Sequence, residues 1–385
     1  MPKNIVILLD GTSNQVSADR TNILRLYGVL AKDQHQVVYY NPGVGTLGAD
    51  GSWLRHWRKV TEVWGLATGW GLDANVKDAY RFLIDEYDRG SGPEEDRDCI
   101  YIFGFSRGAY SARVLAGFIR ALGLIEKRNL NLLDYAYRAY KRIGESGATG
   151  FEEIRLFERM LDPDRPPIRL LGLFDTVSSV IESGRFGPRL RSHAFTKSNT
   201  SVEAVRHAVA IDERRTMFNP QLWPAGGEFH SHPLNKTGAK PQDTLEVWFN
   251  GVHGDIGGGL PEKESQLAKV SLAWMIEQVE PMGLRFVNRS VNSVVLGKPQ
   301  DGSYVTPEGA ARPHDSMTFG WAILEFLPRR KPELSRRSSL FGWTIPFFER
   351  RVIPGGAHLH QTVAERSSPA PNVPVASRDV EVINS

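Results

Sequence analysis

Apolar residues in this chain fall into short unbroken runs, each closed by Gly, Asp, Asn or Pro. The runs are "NIVILLD" (Asn4 to Asp10), "QVVYYNPG" (Gln36 to Gly43), "CIYIFG" (Cys99 to Gly104), "IRLLGLFD" (Ile168 to Asp175) and "TLEVWFN" (Thr244 to Asn250). Runs without polar alternation mark strands covered on both faces, and hence a largely parallel sheet. Helical periods lie between them. In "NVKDAYRFLIDEYDRG", Val76, Ala79, Tyr80, Leu83 and Ile84 share one face before Gly90 can end the helix. Strands alternating with helices predict an α/β fold with helices on both faces of the sheet. Three stretches break the alternation, at about 45–72, 183–240 and 288–350. They read as cap insertions over the carboxyl edge of the sheet, where α/β folds place their sites. The expectation is one domain over residues 1–360. The remainder, 361–385, is Pro, Ser and Val-rich without period and reads as a flexible tail.

The change from strand to helix after Cys99 carries the sharpest chemical signal. Gly104-Phe105-Ser106-Arg107-Gly108 fits Gly-x-Ser-x-Gly between a strand and a helix. In such a turn the serine takes a strained backbone, and side chains two residues to either side would collide with the neighbouring elements. Its hydroxyl stands at the sheet edge and at a helix amino terminus, which favours negative charge. The Arg107 backbone N–H becomes one oxyanion donor. The plainer reading of Ser106 is a helix N-cap.

A serine nucleophile needs a base and an acid that orients the base. In this fold both follow the serine, acid first, on loops after strands. The run ending at Asp175 and the stretch "LEVWFNGVHGDIGGG" with His253 supply that order: Ser106, Asp175, His253. No other histidine after Asp175 follows a comparable apolar strand so closely. Asp212 and Asp255 are rivals for the acid. A second oxyanion donor is expected from the loop after the first strand, the amide of Gly11 or Thr12, with Asp10 holding that loop through its amides. A different chemistry is also open to these residues. Asp10, Asp175, His253 and Asp255 are hard ligands at strand ends that would suit a metal-dependent phosphoesterase. A third reading is a non-catalytic binding module on a hydrolase-like fold.

Composition narrows the field. Of the 385 residues, 41% are hydrophobic and 24% charged, enough for a large buried core. The net charge of +3 argues against a nucleic-acid partner held through phosphates. Cys99 is the single cysteine, so neither a disulfide framework nor a cysteine-ligated zinc is available within one chain. The opening "MPKNIVILLDGTSNQ" reads as a strand rather than a signal peptide, and no apolar run reaches the length of a membrane span. A cytoplasmic protein requiring no cofactor is expected.

The motifs extend beyond the serine turn. "VILLDGTSN", "TNILRLY", "YYNPGVGT", "NVKDAYRFLIDEY", "IYIFGFSRGAYSAR", "LGLFDTVSS", "HAVAIDERRTMFNPQLW" and "VWFNGVHGDIGGG" together resemble an α/β-hydrolase domain family. That family includes the catalytic domain of type VI secretion phospholipase effectors. The similarity runs from about Lys3 to Trp274, with looser likeness in "HDSM" and "RRVIPGGAHLHQTV". It implies hydrolysis of esters, with phospholipids as substrates of the secreted members, by a triad falling on Ser106, Asp175 and His253. Two stretches bear on a lipid substrate and on peripheral membrane contact. Trp53, Trp57, Val60, Val63, Trp64 and Trp70, flanked by Arg55, Arg58 and Lys59, suit either a lid lying on lipid or the packing of a cap. The basic run from Pro328 to Ser339 suits either acidic head groups or a solvated loop.

Overall fold

The computed structural model of the chain describes residues 2–11, 19–43, 71–91, 96–146, 148–177, 181–184, 187–190, 193–231, 238–298, 302–332, 334–366 and 380–383. All five predicted strands form within one sheet: β1 (Asn4–Leu9), β2 (Gln36–Asn41), β3 (Cys99–Phe105), β4 (Ile168–Phe174) and β6 (Asp243–Phe249). Three more strands join them: β5 (Val202–Ala210), β7 (Ala357–His360) and β8 (Val380–Ile383). The order across the sheet is β2-β1-β3-β4-β5-β6-β7-β8, and every neighbouring pair is parallel. Thus the α/β-hydrolase-like expectation of a largely parallel sheet holds.

The strand order has a consequence for function. The chain steps from β1 outward to β2, then crosses back over β1 to β3 and proceeds steadily in the other direction. The reversal opens a crevice at the carboxyl ends of β1 and β3, the place where open α/β sheets bind ligands. Ser106 follows β3 directly, and Asp10 and Gly11 follow β1.

Each face of the sheet is covered. Ile5, Ile7 and Leu9 of β1 pack under α2 (Leu72–Glu86), α3 (Arg107–Leu122), α4 (Leu133–Ser146) and α5 (Ala148–Leu161). Their alternates Val6 and Leu8 pack against α1 (Asn22–Val29) and α7 (Gln266–Val279). The predicted stripe of α2 is buried at Val76, Ala79, Tyr80 and Leu83, with Ile84 at its margin. Continuous apolar strands therefore serve two cores at once, which is why they lack polar alternation.

Two expectations need correction. The stretch 183–240 is not wholly an insertion, because it contains β5, a central strand between β4 and β6. Polar residues disguise it. Arg206 pairs with Asp243 at 2.8 Å, and His207, fully buried, meets Glu246 at 2.8 Å, so hydrogen-bonded pairs occupy positions where apolar side chains would be expected. The stretch 361–385 is not entirely a tail either. Val380–Ile383 pairs with β7 and forms the sheet edge. The Trp-rich stretch lies outside the described residues, apart from the start of α2. One residue of the third insertion is tied to the loop after β5: buried Glu325 accepts hydrogen bonds from the Thr216 backbone N–H (2.9 Å) and hydroxyl.

Candidate active site

The turn between β3 and α3 has the geometry that the glycines foretell. Ser106 takes φ 58 and ψ −121, a conformation costly for any residue with a Cβ. It occupies the cap position of α3, yet its side chain makes no capping hydrogen bond, so the simple N-cap reading does not describe it. The flanking glycines are needed for space. A Cβ on Gly104 would lie 2.5 Å from the Ala109 Cα, and one on Gly108 would lie 2.1 Å from the Leu9 carbonyl oxygen. Gly108 is what lets α3 rest on the end of β1 and brings the two loops of the crevice together. Gly108→Ala is accordingly expected to cost at least the ~1–3 kcal/mol of ordinary overpacking, because the obstructing atom is backbone and cannot rotate away. Urea unfolding of that variant against wild type measures it.

Asp175 follows β4 and is fully buried, with φ 40. Its Oδ1 accepts from the Ala210 amide at 3.0 Å and from Arg351 Nη1 at 2.6 Å. Its Oδ2 lies 2.5 Å from His253 Nδ1 and 2.9 Å from Arg351 Nη2. Burial alone would raise this carboxyl. The Arg351 charge and the His253 hydrogen bond outweigh it and hold the group well below the usual carboxylate range. Because an ionised carboxylate only accepts, the shared proton belongs to Nδ1, and Nε2 of His253 keeps its lone pair.

His253 begins the short helix α6 (His253–Gly257) directly after β6. Its backbone N–H donates to Glu213 Oε2 at 3.2 Å. The ring lies between Phe105, at 4.7 Å, and Phe218, at 4.9 Å between centroids. Phe105 is the residue before Ser106, so the imidazole packs against the serine turn itself. Burial lowers the His253 pKa further than the Asp175 hydrogen bond and charge raise it. The rival acids face elsewhere. Asp212 accepts from the Gly251 amide and is gripped by Arg366, while Asp255 accepts from the Val252 amide and meets His314 Nδ1 at 2.6 Å.

At the other side of the crevice, Asp10 holds its loop through a bond from the Gly11 amide at 2.7 Å, and it also accepts from Thr21 (2.5 Å) and Tyr40 (2.9 Å). The Gly11 amide is thereby turned toward its own neighbour. Thr12 lies outside the described residues, and Arg107 opens α3 as expected. Of the four residues of the phosphoesterase alternative, Asp175 and His253 pair with each other, while Asp10 is held by Thr21 and Tyr40 and Asp255 by His314. Among the described residues no three His, Cys, Asp or Glu side chains group as a metal site. Both Asp175 oxygens are already engaged by a guanidinium.

Three residues at the site were not assigned from the sequence. Arg351 clamps Asp175 and also donates to the Ala210 and Phe218 carbonyls. Glu213, fully buried, binds the Arg215 guanidinium and supports the His253 amide; burial would raise it, but Arg215 brings it down to about 2. Phe218 lies on the imidazole, stacked under Arg215 at 3.9 Å and touched by Trp321 at 5.4 Å. All three fall within stretches that carry the family likeness, "DERRTMF" and "RRVIPGG". Nothing in their residue types alone gives them a role.

Residues 3–278 match the family described as "T6SS, Phospholipase effector Tle1-like, catalytic domain". A relative from Saccharomyces cerevisiae, "Uncharacterized protein YEL023C", is 33% identical over 234 residues, covering 56% of this chain and 32% of its own. Two solved structures are similar in part. The "Crystal structure of an uncharacterized protein from Pseudomonas aeruginosa" has a TM-score of 0.39 at 19% identity, over 75% of this chain and 47% of that one. The "Structure of the Tle1 effector bound to the VgrG spike from the Type 6 secretion system" has a TM-score of 0.31 at 20% identity, over 67% and 51%. The chain thus spans about a third of the yeast relative and about half of each solved chain. The family match extends over most of the chain and takes in the serine turn, Asp175 and His253: this chain belongs to the Tle1-like catalytic domain family.

Proposed function

We propose that this domain is a serine hydrolase that cleaves carboxylic ester bonds of lipids, phospholipids included. The observation that carries the reading is the His253–Asp175 pair at 2.5 Å, packed against the strained turn that holds Ser106. Asp175 fixes the ring and its tautomer, so Nε2 is free to take the Ser106 proton as Oγ attacks the ester carbonyl. The amide of Arg107, at the amino terminus of α3, stabilises the developing oxyanion, with Thr12 as the second donor. His253 then returns the proton to the departing alcohol, and water releases the acyl group by the same path in reverse. The family match supports lipid esters as the substrate class.

The experiment is a screen of purified protein against p-nitrophenyl esters of graded chain length and against phospholipids, beside Ser106→Ala and with and without a chelator. Hydrolysis that survives chelation and disappears with Ser106 supports the proposal. Hydrolysis lost to chelation and retained by Ser106→Ala favours the metal-dependent alternative, and binding without turnover favours the non-catalytic one. A pH profile adds an independent check. Catalysis needs neutral His253, and its folded pKa is depressed. Activity is expected to persist on acidification past the ordinary histidine value of about 6.5 and to fall only below it. A half-maximal kcat/KM clearly above that value would contradict the assignment of His253 as a buried base.

A further inference from the structure

We infer that residues 319–348, the far part of the third insertion, are the surface by which this domain docks onto an anionic lipid bilayer. The choice of a bilayer as the occupant rests on the lipid-ester reading above. The physical oddity is local. Leu340 and Trp343 exchange both backbone hydrogen bonds at 2.9 Å, closing a tight turn whose central residues, Phe341 and Gly342, have φ of 51 and 81. Such a turn calls for Asn, Asp or Gly at both centres, and a phenylalanine there is an outlier. Phe341 is 94% exposed, so the strain secures no packing within the domain. Leu340 and Phe319 are similarly bare, at 73% and 83%, and Ile323, Leu327 and Trp343 are about half exposed. A strained backbone that holds a phenyl ring in water is accounted for by something outside the domain.

Charge selects the partner. Between Phe319 and Arg350 the sequence has six arginines and lysines against three glutamates, a net +3 that equals the charge of the entire chain. One of those glutamates, Glu325, is buried on Thr216, while Arg330, Lys331, Arg336 and Arg350 are exposed. An apolar, aromatic tip beside exposed cations matches a membrane interface, where rings enter the acyl boundary and basic groups stay among anionic head groups. Among the described residues no helix is long and apolar enough to cross a membrane. The surface is also coupled to the site. Trp321, within the same helical segment as Phe319 and Ile323, touches Phe218, which lies on His253. Two side-chain contacts separate the docking segment from the imidazole.

The test is cosedimentation of the Ser106→Ala protein with vesicles of phosphatidylcholine, alone or mixed with phosphatidylglycerol, so that hydrolysis cannot erode the target. Binding is expected to the mixed vesicles only, and to weaken with salt. Leu340→Ser and Phe341→Ser together should lower vesicle affinity about tenfold or more. In the protein with Ser106 intact, the same pair should leave hydrolysis of a water-soluble p-nitrophenyl butyrate unchanged, which shows that the fold is retained. Unchanged vesicle affinity in the double variant overturns the inference. So does a wild type that ignores anionic vesicles, or one that forms a dimer through this patch. An inactive wild type that still binds mixed vesicles through Leu340 and Phe341 would refute the hydrolase and leave the docking surface standing.

Discussion

Ser106→Ala is expected to lower kcat for ester hydrolysis by about 10⁶, with His253→Ala close behind it and the double variant no worse than either alone. Nucleophile and base act as one unit, so removing the second partner removes nothing that remains. The fold should persist in both. The Ser106 side chain makes no capping hydrogen bond, and alanine is as small in the same backbone conformation. His253 stands at the start of a short helix after β6, with its backbone amide still available to Glu213. Steady-state kinetics beside thermal melts separate the two quantities. Independent, multiplicative losses from the two substitutions would mean that Ser106 and His253 do not share a step.

Arg351→Met is expected to destabilise the protein by about 3–5 kcal/mol, the cost of leaving a buried carboxylate without its cation. Arg351 and Asp175 meet through two contacts, 2.6 and 2.9 Å, and both side chains are almost wholly removed from water. Asp175→Asn should also destabilise, by stranding the guanidinium, and should lower turnover by about 10⁴, because an amide steadies the ring in the wrong tautomer. The two together, Asp175→Asn with Arg351→Met, remove both charges. The double variant should be more stable than the sum of the single losses, while activity stays as low as in Asp175→Asn. Urea unfolding of the four proteins closes the cycle. Additive stability losses would show that the clamp carries no coupling.

Much of the frame was legible because the strands that build the crevice are apolar from end to end. Ser106, Asp175 and His253 are legible for the same reason: each comes just after a strand that announces itself, and the carboxyl end of a parallel strand is where α/β sheets expose chemistry. β5 was hidden because a central strand need not be apolar when its polar residues are paired, as Arg206 and His207 are. β7 was hidden by its brevity and by His358 and His360 within it. Arg351 is a different case. It lies 176 residues from Asp175 in the chain, and only the return of the third insertion to the sheet puts it beneath the acid. No local pattern records such a contact. For Gly11, the sequence shows a loop able to approach a substrate, while the hydrogen bond to Asp10 that occupies its amide belongs to tertiary geometry.

Treatment of the native protein with a fluorophosphonate, followed by mass spectrometry of its peptides, tests the central claim most directly. Only a serine activated by a neighbouring base reacts readily with such a reagent. A single adduct on Ser106, formed in step with loss of esterase activity and absent from His253→Ala, is the expected result. Full esterase activity with Ser106 unmodified, or an adduct on Ser106 that forms equally fast in His253→Ala, would contradict it.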